Sequence, residues 1–217
     1  MAKRLLKQKA IELRKLGYSY SQIKKELDVS KSTLSGWLLN MPLSLERIQE
    51  LRGENEARIE RCRITKWENK QKKSDTFYKQ IANDLGKLSN RELYLAGLFL
   101  YWGEGGKTGG TVSLSNTDPR IMKFFIKWLE ILGVVKNDMT IVLQLYADMD
   151  EQNEKSFWSN VLSLPLENFR KTQFKKSTLV GLSYRNGFGH GTCMVRAYKT
   201  TLFEKIMLSF KYFGNQY

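Results

Sequence analysis

The sequence predicts an α+β protein in three parts: an all-α segment at residues 1–43, a charged helical connector at 44–90 and a mixed α/β domain at 91–217. Three observations carry that expectation. Through residue 90, apolar residues recur every three or four positions, the spacing of amphipathic helices. Beyond residue 110, the segments 111–115, 139–146 and 192–198 alternate apolar with polar residues, as half-buried strands do. Between these patterns lies LYLAGLFLYWGEGG, Leu93 to Gly106, whose first ten residues carry no charge. That run is too short to span a bilayer and long enough for a buried helix.

The totals narrow the partners. Thirty-six Lys and Arg stand against 22 Asp and Glu, a net charge of +14, which makes a polyanion the first partner to consider. Nucleic acid leads and an anionic membrane surface follows. The opening MAKRLLKQKA is broken by charge every two or three positions, so neither a signal core nor a transmembrane helix is expected. A cytoplasmic, nucleoid-associated protein without a small-molecule cofactor is the resulting expectation. Cys62 and Cys193 lie far apart with no neighbouring ligand at metal spacing, which argues against zinc sites and disulfide scaffolds.

In the first 43 residues, Leu6, Ala10, Leu13 and Leu16 form a helical stripe closed by Gly17. Ser19 and Gln22 have the spacing of a capping box and open a second helix, with Ile23 and Leu27 one turn apart. Asp28-Val29-Ser30 makes the turn. Ser30 then caps a third helix, Lys31 to Leu38, with Leu34, Trp37 and Leu38 inward and Lys31, Ser32 and Ser35 outward. The string GYSYSQIKKELDVSKSTLSGWL resembles the helix-turn-helix of resolvases, transposases and many small regulators. That resemblance implies DNA contacts from the start of the third helix, through Lys31, Ser32, Thr33 and Ser35. Nine Lys and Arg against Glu12, Glu26 and Asp28 suit a phosphate backbone.

Residues 44–90 read as two short amphipathic helices or one long broken one. Leu45, Ile48 and Leu51 form one stripe, and Phe77, Ile81, Leu85 and Leu88 form another. Between them the basic run from Arg61 to Lys73 reads equally as a solvated face or as a surface lying along DNA.

In the last part, Thr111 to Ser115 is a strand. Asp118-Pro119 supplies an N-cap and a first-turn proline for a helix carrying Ile121, Phe125, Trp128, Leu129 and Leu132 and ending at Gly133. A strand at Met139 to Tyr146, a helix at about Asp150 to Leu162, a strand at Thr192 to Tyr198 and a helix at about Thr200 to Tyr212 follow. Arg170, Lys171, Lys175 and Lys176 are interleaved with Phe169 and Phe174, and Arg196 lies on the polar side of its strand. Basic residues mixed with aromatics suit a nucleic-acid surface.

Glu104 is an acid at the carboxyl end of a helix, where unsatisfied carbonyls concentrate negative charge and a cation is needed nearby. A bound metal would supply it. Gly97 lies seven residues earlier on the same face, where backbone-close packing is expected.

Taken together, LAGLFLYWGEGG and VSLSNTDPRIMKFFIKWLEILGV resemble the LAGLIDADG homing endonucleases. The resemblance covers roughly residues 91–213. It implies a curved antiparallel sheet and places Glu104 on the catalytic, metal-binding acid, with Gly105 as the closing glycine. It implies Mg²⁺, with Mn²⁺ as a substitute, and a duplex DNA substrate. One motif per chain implies a homodimer. Phe99 occupies the position where the family places a small residue between paired motif helices, and Lys107, Lys175 and Lys176 are candidates for its supporting lysine. The helix near 150–162 interrupts what would be the second hairpin.

Two functions follow: a Mg²⁺-dependent, site-specific double-stranded DNA endonuclease, or a non-catalytic DNA-binding regulator built on the same fold. The second resembles bacterial sporulation regulators that carry the two domains in the opposite order. Asp118, Asp148 and Glu154 form a third, weaker pattern, the acidic triad of a transposase. His190, the only histidine, reads as a loop residue.

Overall fold

A computed structural model describes residues 2–51, 53–175 and 189–216. The chain divides into two compact units, Met1–Gly86 and Lys87–Tyr217. Among the described residues no helix is long and apolar enough to cross a membrane.

In the first unit, α1 (Ala2–Lys15), α2 (Tyr20–Leu27) and α3 (Lys31–Trp37) close around Ala10, Tyr20, Ile23, Val29, Leu34 and Leu38. The caps follow the local chemistry. Ser19 and Gln22 form the full capping box, Asp28 turns the chain in the left-handed region (φ 48°), and Ser30 accepts from the Thr33 amide at 3.2 Å. Leu16 departs from its expected stripe: α1 ends at Lys15, Gly17 takes φ 85°, and Leu16 is 73% exposed.

Two further helices follow, a short α4 (Leu45–Gln49) and an unbroken 32-residue α5 (Glu54–Leu85). The near half of α5 belongs to the helical core, with Ala57 and Ile64 packed on Leu43 and Ile48. A buried charge cluster joins it to the first helices. Glu60 accepts from Arg14 at 2.8 Å and from Arg63 at 2.7 Å, with Arg14 and Glu60 each 1% exposed. Arg14 also donates to the Met41 and Tyr18 carbonyls, and the Arg63 guanidinium lies 3.8 Å over the Tyr20 ring. Residues 44–86 are therefore not a connector apart from the first helices. The far half of α5 leaves its apolar stripe exposed at Phe77, Ile81 and Leu85. A helix of 32 residues runs about 48 Å, longer than a small helical unit is wide, so its far end finds no core within that unit.

The second unit runs α6 (Asn90–Glu104), β1 (Val112–Asn116), α7 (Pro119–Ile131), β2 (Met139–Tyr146), α8 (Glu151–Leu162), β3 (Gln173–Lys175), β4 (Thr192–Ala197) and α9 (Thr200–Gly214). Among the described residues, four strands form one sheet in the order β1-β4-β2-β3. Strand β4 is antiparallel to β1 and β2, but β3 is parallel to β2. The sheet is thus mixed and not antiparallel throughout. The reason is α8: it carries the chain back along the sheet, and a crossover of that length is what a parallel pair needs. One face of the sheet presents Leu114, Ile141, Leu143, Cys193 and Val195 to a core shared with Met122, Phe125, Trp128 and Trp158.

Candidate nucleic-acid interface and acidic centre

Glu104 is the last residue of α6. Ser89 and Glu92 start that helix with a capping box, and its inner side buries Gly97, Leu98 and Tyr101. Gly97 lies against Trp128: a Cβ there would collide with the indole, whose Nε1 donates to the Tyr94 carbonyl at 3.0 Å. The close approach expected at Gly97 is therefore made inside the unit. The outer side bears Ala96, Phe99 and Gly103, spaced by three and four and all exposed, Phe99 by 51%. A Cβ on Gly103 would meet nothing within 4 Å. Phe99 stacks on Trp102 at 6.0 Å and leans on Phe213 of α9 at 5.5 Å.

The turn after α6 is pinned from below. Tyr101 donates its hydroxyl to the Gly106 carbonyl and accepts from the Ser113 amide at 3.3 Å, while the Gly106 amide donates to the Ser113 carbonyl at 2.8 Å. Burial pushes the Tyr101 phenol up. Glu104 is left exposed, with one oxygen accepting from Asn116 Nδ2 at 2.9 Å. Asn116 Oδ1 in turn accepts from the Asp118 amide at 2.9 Å, so the end of β1 and the cap of α7 position the amide facing Glu104. Asn116 lies in the SNTDP string and was not singled out from sequence as a site residue. Its signal was its place at the end of an alternating strand, two residues before an N-cap.

A cation of the chain itself lies just past the end of α6. Lys107 Nζ donates to the Gly105 carbonyl at 2.6 Å and lies 5.8 Å from the Tyr101 ring centre. Lys107 thus places a cation on the residue that follows α6.

Among the described residues no group of three or more His, Cys, Asp or Glu is arranged to hold a metal ion. Glu104 offers one exposed carboxylate. Asp118 accepts from the Arg120 amide at 2.8 Å and from its guanidinium at 2.7 Å, and the Arg120 bond holds its carboxyl below the usual range. One chain therefore supplies one available oxygen donor group here. Mg²⁺ takes one or two carboxylates and completes its shell with waters and phosphate, so the donor chemistry fits with Glu104 from two copies.

The acidic triad is not assembled. Asp118 serves α7, and Glu154 accepts from His190 Nδ1 at 2.9 Å. The His190 ring stacks on Phe157 at 3.5 Å, and its carbonyl accepts from Trp158 Nε1 at 2.8 Å, so this histidine is held against α8.

The second face of the sheet carries cross-strand rows. Ser113, Arg196 and Thr140 form one row, Ser115, Met194 and Val142 the next, then Thr192, Gln144 and Gln173, and finally Tyr146 with Lys175. Thr140 and Val142 are buried at its middle, so the face is less open than the alternation suggested. Arg196 Nε donates to Met194 Sδ at 2.9 Å. Arg196 and Lys175 share this face, six β2 residues apart, roughly 20 Å along the strands. Arg170 and Lys171 are exposed before β3, with the Arg170 amide donating to the Ile141 carbonyl at 2.8 Å. Lys176 lies outside the described residues. In the other unit, Lys31, Ser32 and Ser35 are exposed on α3, and Thr33 is half-buried with its hydroxyl 2.9 Å from that of Ser30.

Comparisons with protein-family models, curated proteins and solved structures find no match to this chain.

Proposed function

We propose that this chain is a site-specific double-stranded DNA endonuclease of LAGLIDADG type, acting as a homodimer, with a helix-turn-helix formed by α2 and α3 gripping flanking DNA. The observation that carries the reading is Glu104, an exposed carboxylate at the end of a helix whose outer stripe, Ala96, Phe99 and Gly103, stays exposed although Phe99 leans on Phe213 of α9. Pairing that stripe with its copy would set the two α6 ends beside the two-fold axis, each with Glu104 next to Gly103. Glu104 of each copy would hold Mg²⁺ or Mn²⁺, which supplies charge stabilisation at the scissile phosphate and an activated water. The polar sheet face, with Arg196, Lys175 and Gln144, suits a groove, and exposed Lys31, Ser32 and Ser35 open α3 as a major-groove helix does.

The test is cleavage of a selected binding site in Mg²⁺ by wild type and by Glu104→Gln. Loss of cleavage by about a hundredfold or more with binding retained is the expected result. Equal cleavage by the variant would sink the reading.

A second reading, the regulator that binds without cutting, is favoured by one observation: Asn116 engages Glu104, which gives the acid a structural partner within the chain. Tight, sequence-selective binding with no cleavage in either metal would decide for it.

A further inference from the structure

The first unit contains a cavity of about 670 Å³ between α3, the turn after it and α5. Its size falls within the range of small-molecule sites. Among the described residues the charge of its wall is one-sided: five lining residues are Lys or Arg and none is Asp or Glu. Arg14 and Arg63 share the single carboxylate of Glu60. Among the described residues the Arg58 guanidinium has the Asn55 amide oxygen as partner, at 3.2 Å, and no acid pairs with Lys66 or Lys70. The rest of the wall is apolar, including Leu39, Pro42 and Ile59. Trp67 also lines it, and its indole N–H is buried without a hydrogen-bond partner. A buried donor lacking an acceptor is uncommon in folded proteins and is relieved by a ligand oxygen.

We infer that this cavity binds a small amphipathic carboxylate, its apolar body against Leu39, Pro42 and Ile59 and its charge toward Arg58, Lys66 and Lys70. The same cations along duplex DNA would suit phosphates, but a phosphodiester strand has no apolar body for the rest of the wall. Ser35 of α3 shares the wall, so an occupant touches the helix assigned above to the DNA groove. That consequence rests on the DNA reading, whereas the cavity and its ligand do not.

Cys62 makes the site directly readable, because it lines the cavity and is exposed while Cys193 is buried. The experiment follows alkylation of Cys62 by N-ethylmaleimide in the folded full chain, with 2-naphthylacetate as probe and neutral 2-naphthylethanol as its control. The acid is expected to protect Cys62 and the alcohol to protect far less. In the double variant Lys66→Glu, Lys70→Glu, both at exposed side chains, the protecting concentration should rise by about tenfold with an unchanged thermal melt. Absence of protection, equal protection by the alcohol, or protection untouched by the double variant would each overturn the inference. Protection by a short DNA duplex but not by the acid would also overturn it, assigning the cations to phosphate contact.

Discussion

The carboxylate of Glu104 and the side-chain amide of Asn116 are hydrogen-bonded at 2.9 Å across 12 residues of sequence, joining the end of α6 to the end of β1. Asn116 also caps the turn into α7 by accepting from the Asp118 amide. Asn116→Ala therefore removes two bonds in a partly exposed place, and a loss of about 1–2 kcal/mol in urea unfolding is expected. The exposed Glu104 side should contribute the smaller share, so Glu104→Gln, which keeps an acceptor, should leave stability within about 0.5 kcal/mol of wild type.

The two sides of α6 should respond in opposite ways. Gly97→Ala forces a methyl into the Trp128 indole, and overpacking of this kind costs about 1–3 kcal/mol, read as a lowered melting temperature. Phe99→Ala loses only half-exposed aromatic contacts, about 0.5–1.5 kcal/mol. Its larger effect should be on self-association, followed by sedimentation as a function of concentration. Unchanged association in that variant would argue against pairing through the outer stripe.

Glu60 lies at the centre of the buried charge cluster in the first unit. Glu60→Gln leaves Arg14 buried without its counter-charge, and breaking such a pair costs about 3–5 kcal/mol. Chemical denaturation of the full chain, with the two units followed separately, should show the loss confined to residues 1–86.

Acid should weaken the second unit through its helix caps. The Ser89 backbone bond lowers the Glu92 carboxyl from its ordinary 4.5, and the Arg120 side-chain bond lowers that of Asp118 from 3.8. A carboxyl held below its unfolded value contributes stability that is complete above the unfolded value and lost as pH falls through the folded one. Melting temperature should therefore fall between about pH 5 and about pH 3, and the fall should be shallower in Asp118→Asn. An identical pH profile in that variant would remove Asp118 from the account.

Salt should report the phosphate contacts. Lys31→Ala and Arg196→Ala are each expected to weaken DNA binding and to reduce the slope of log K against log salt by about one. Fluorescence anisotropy across a salt series measures both. A slope unchanged in either variant would take that residue off the phosphate backbone.

Sequence by itself determined what depends on neighbours within a few positions. The capping box at Ser19, the caps at Ser30 and Asp118, the strand at 139–146 and the placement of Glu104 at a helix end were all legible, because caps and periodicity act over two to four residues. Tertiary structure decided what depends on residues far apart in the chain. It set β3 parallel to β2, gave Gly97 to Trp128, joined Arg14 to Glu60, set Lys107 on the Gly105 carbonyl and put Asn116 against Glu104. Those pairings answer buried charge, close packing and crossover length, which no local pattern encodes.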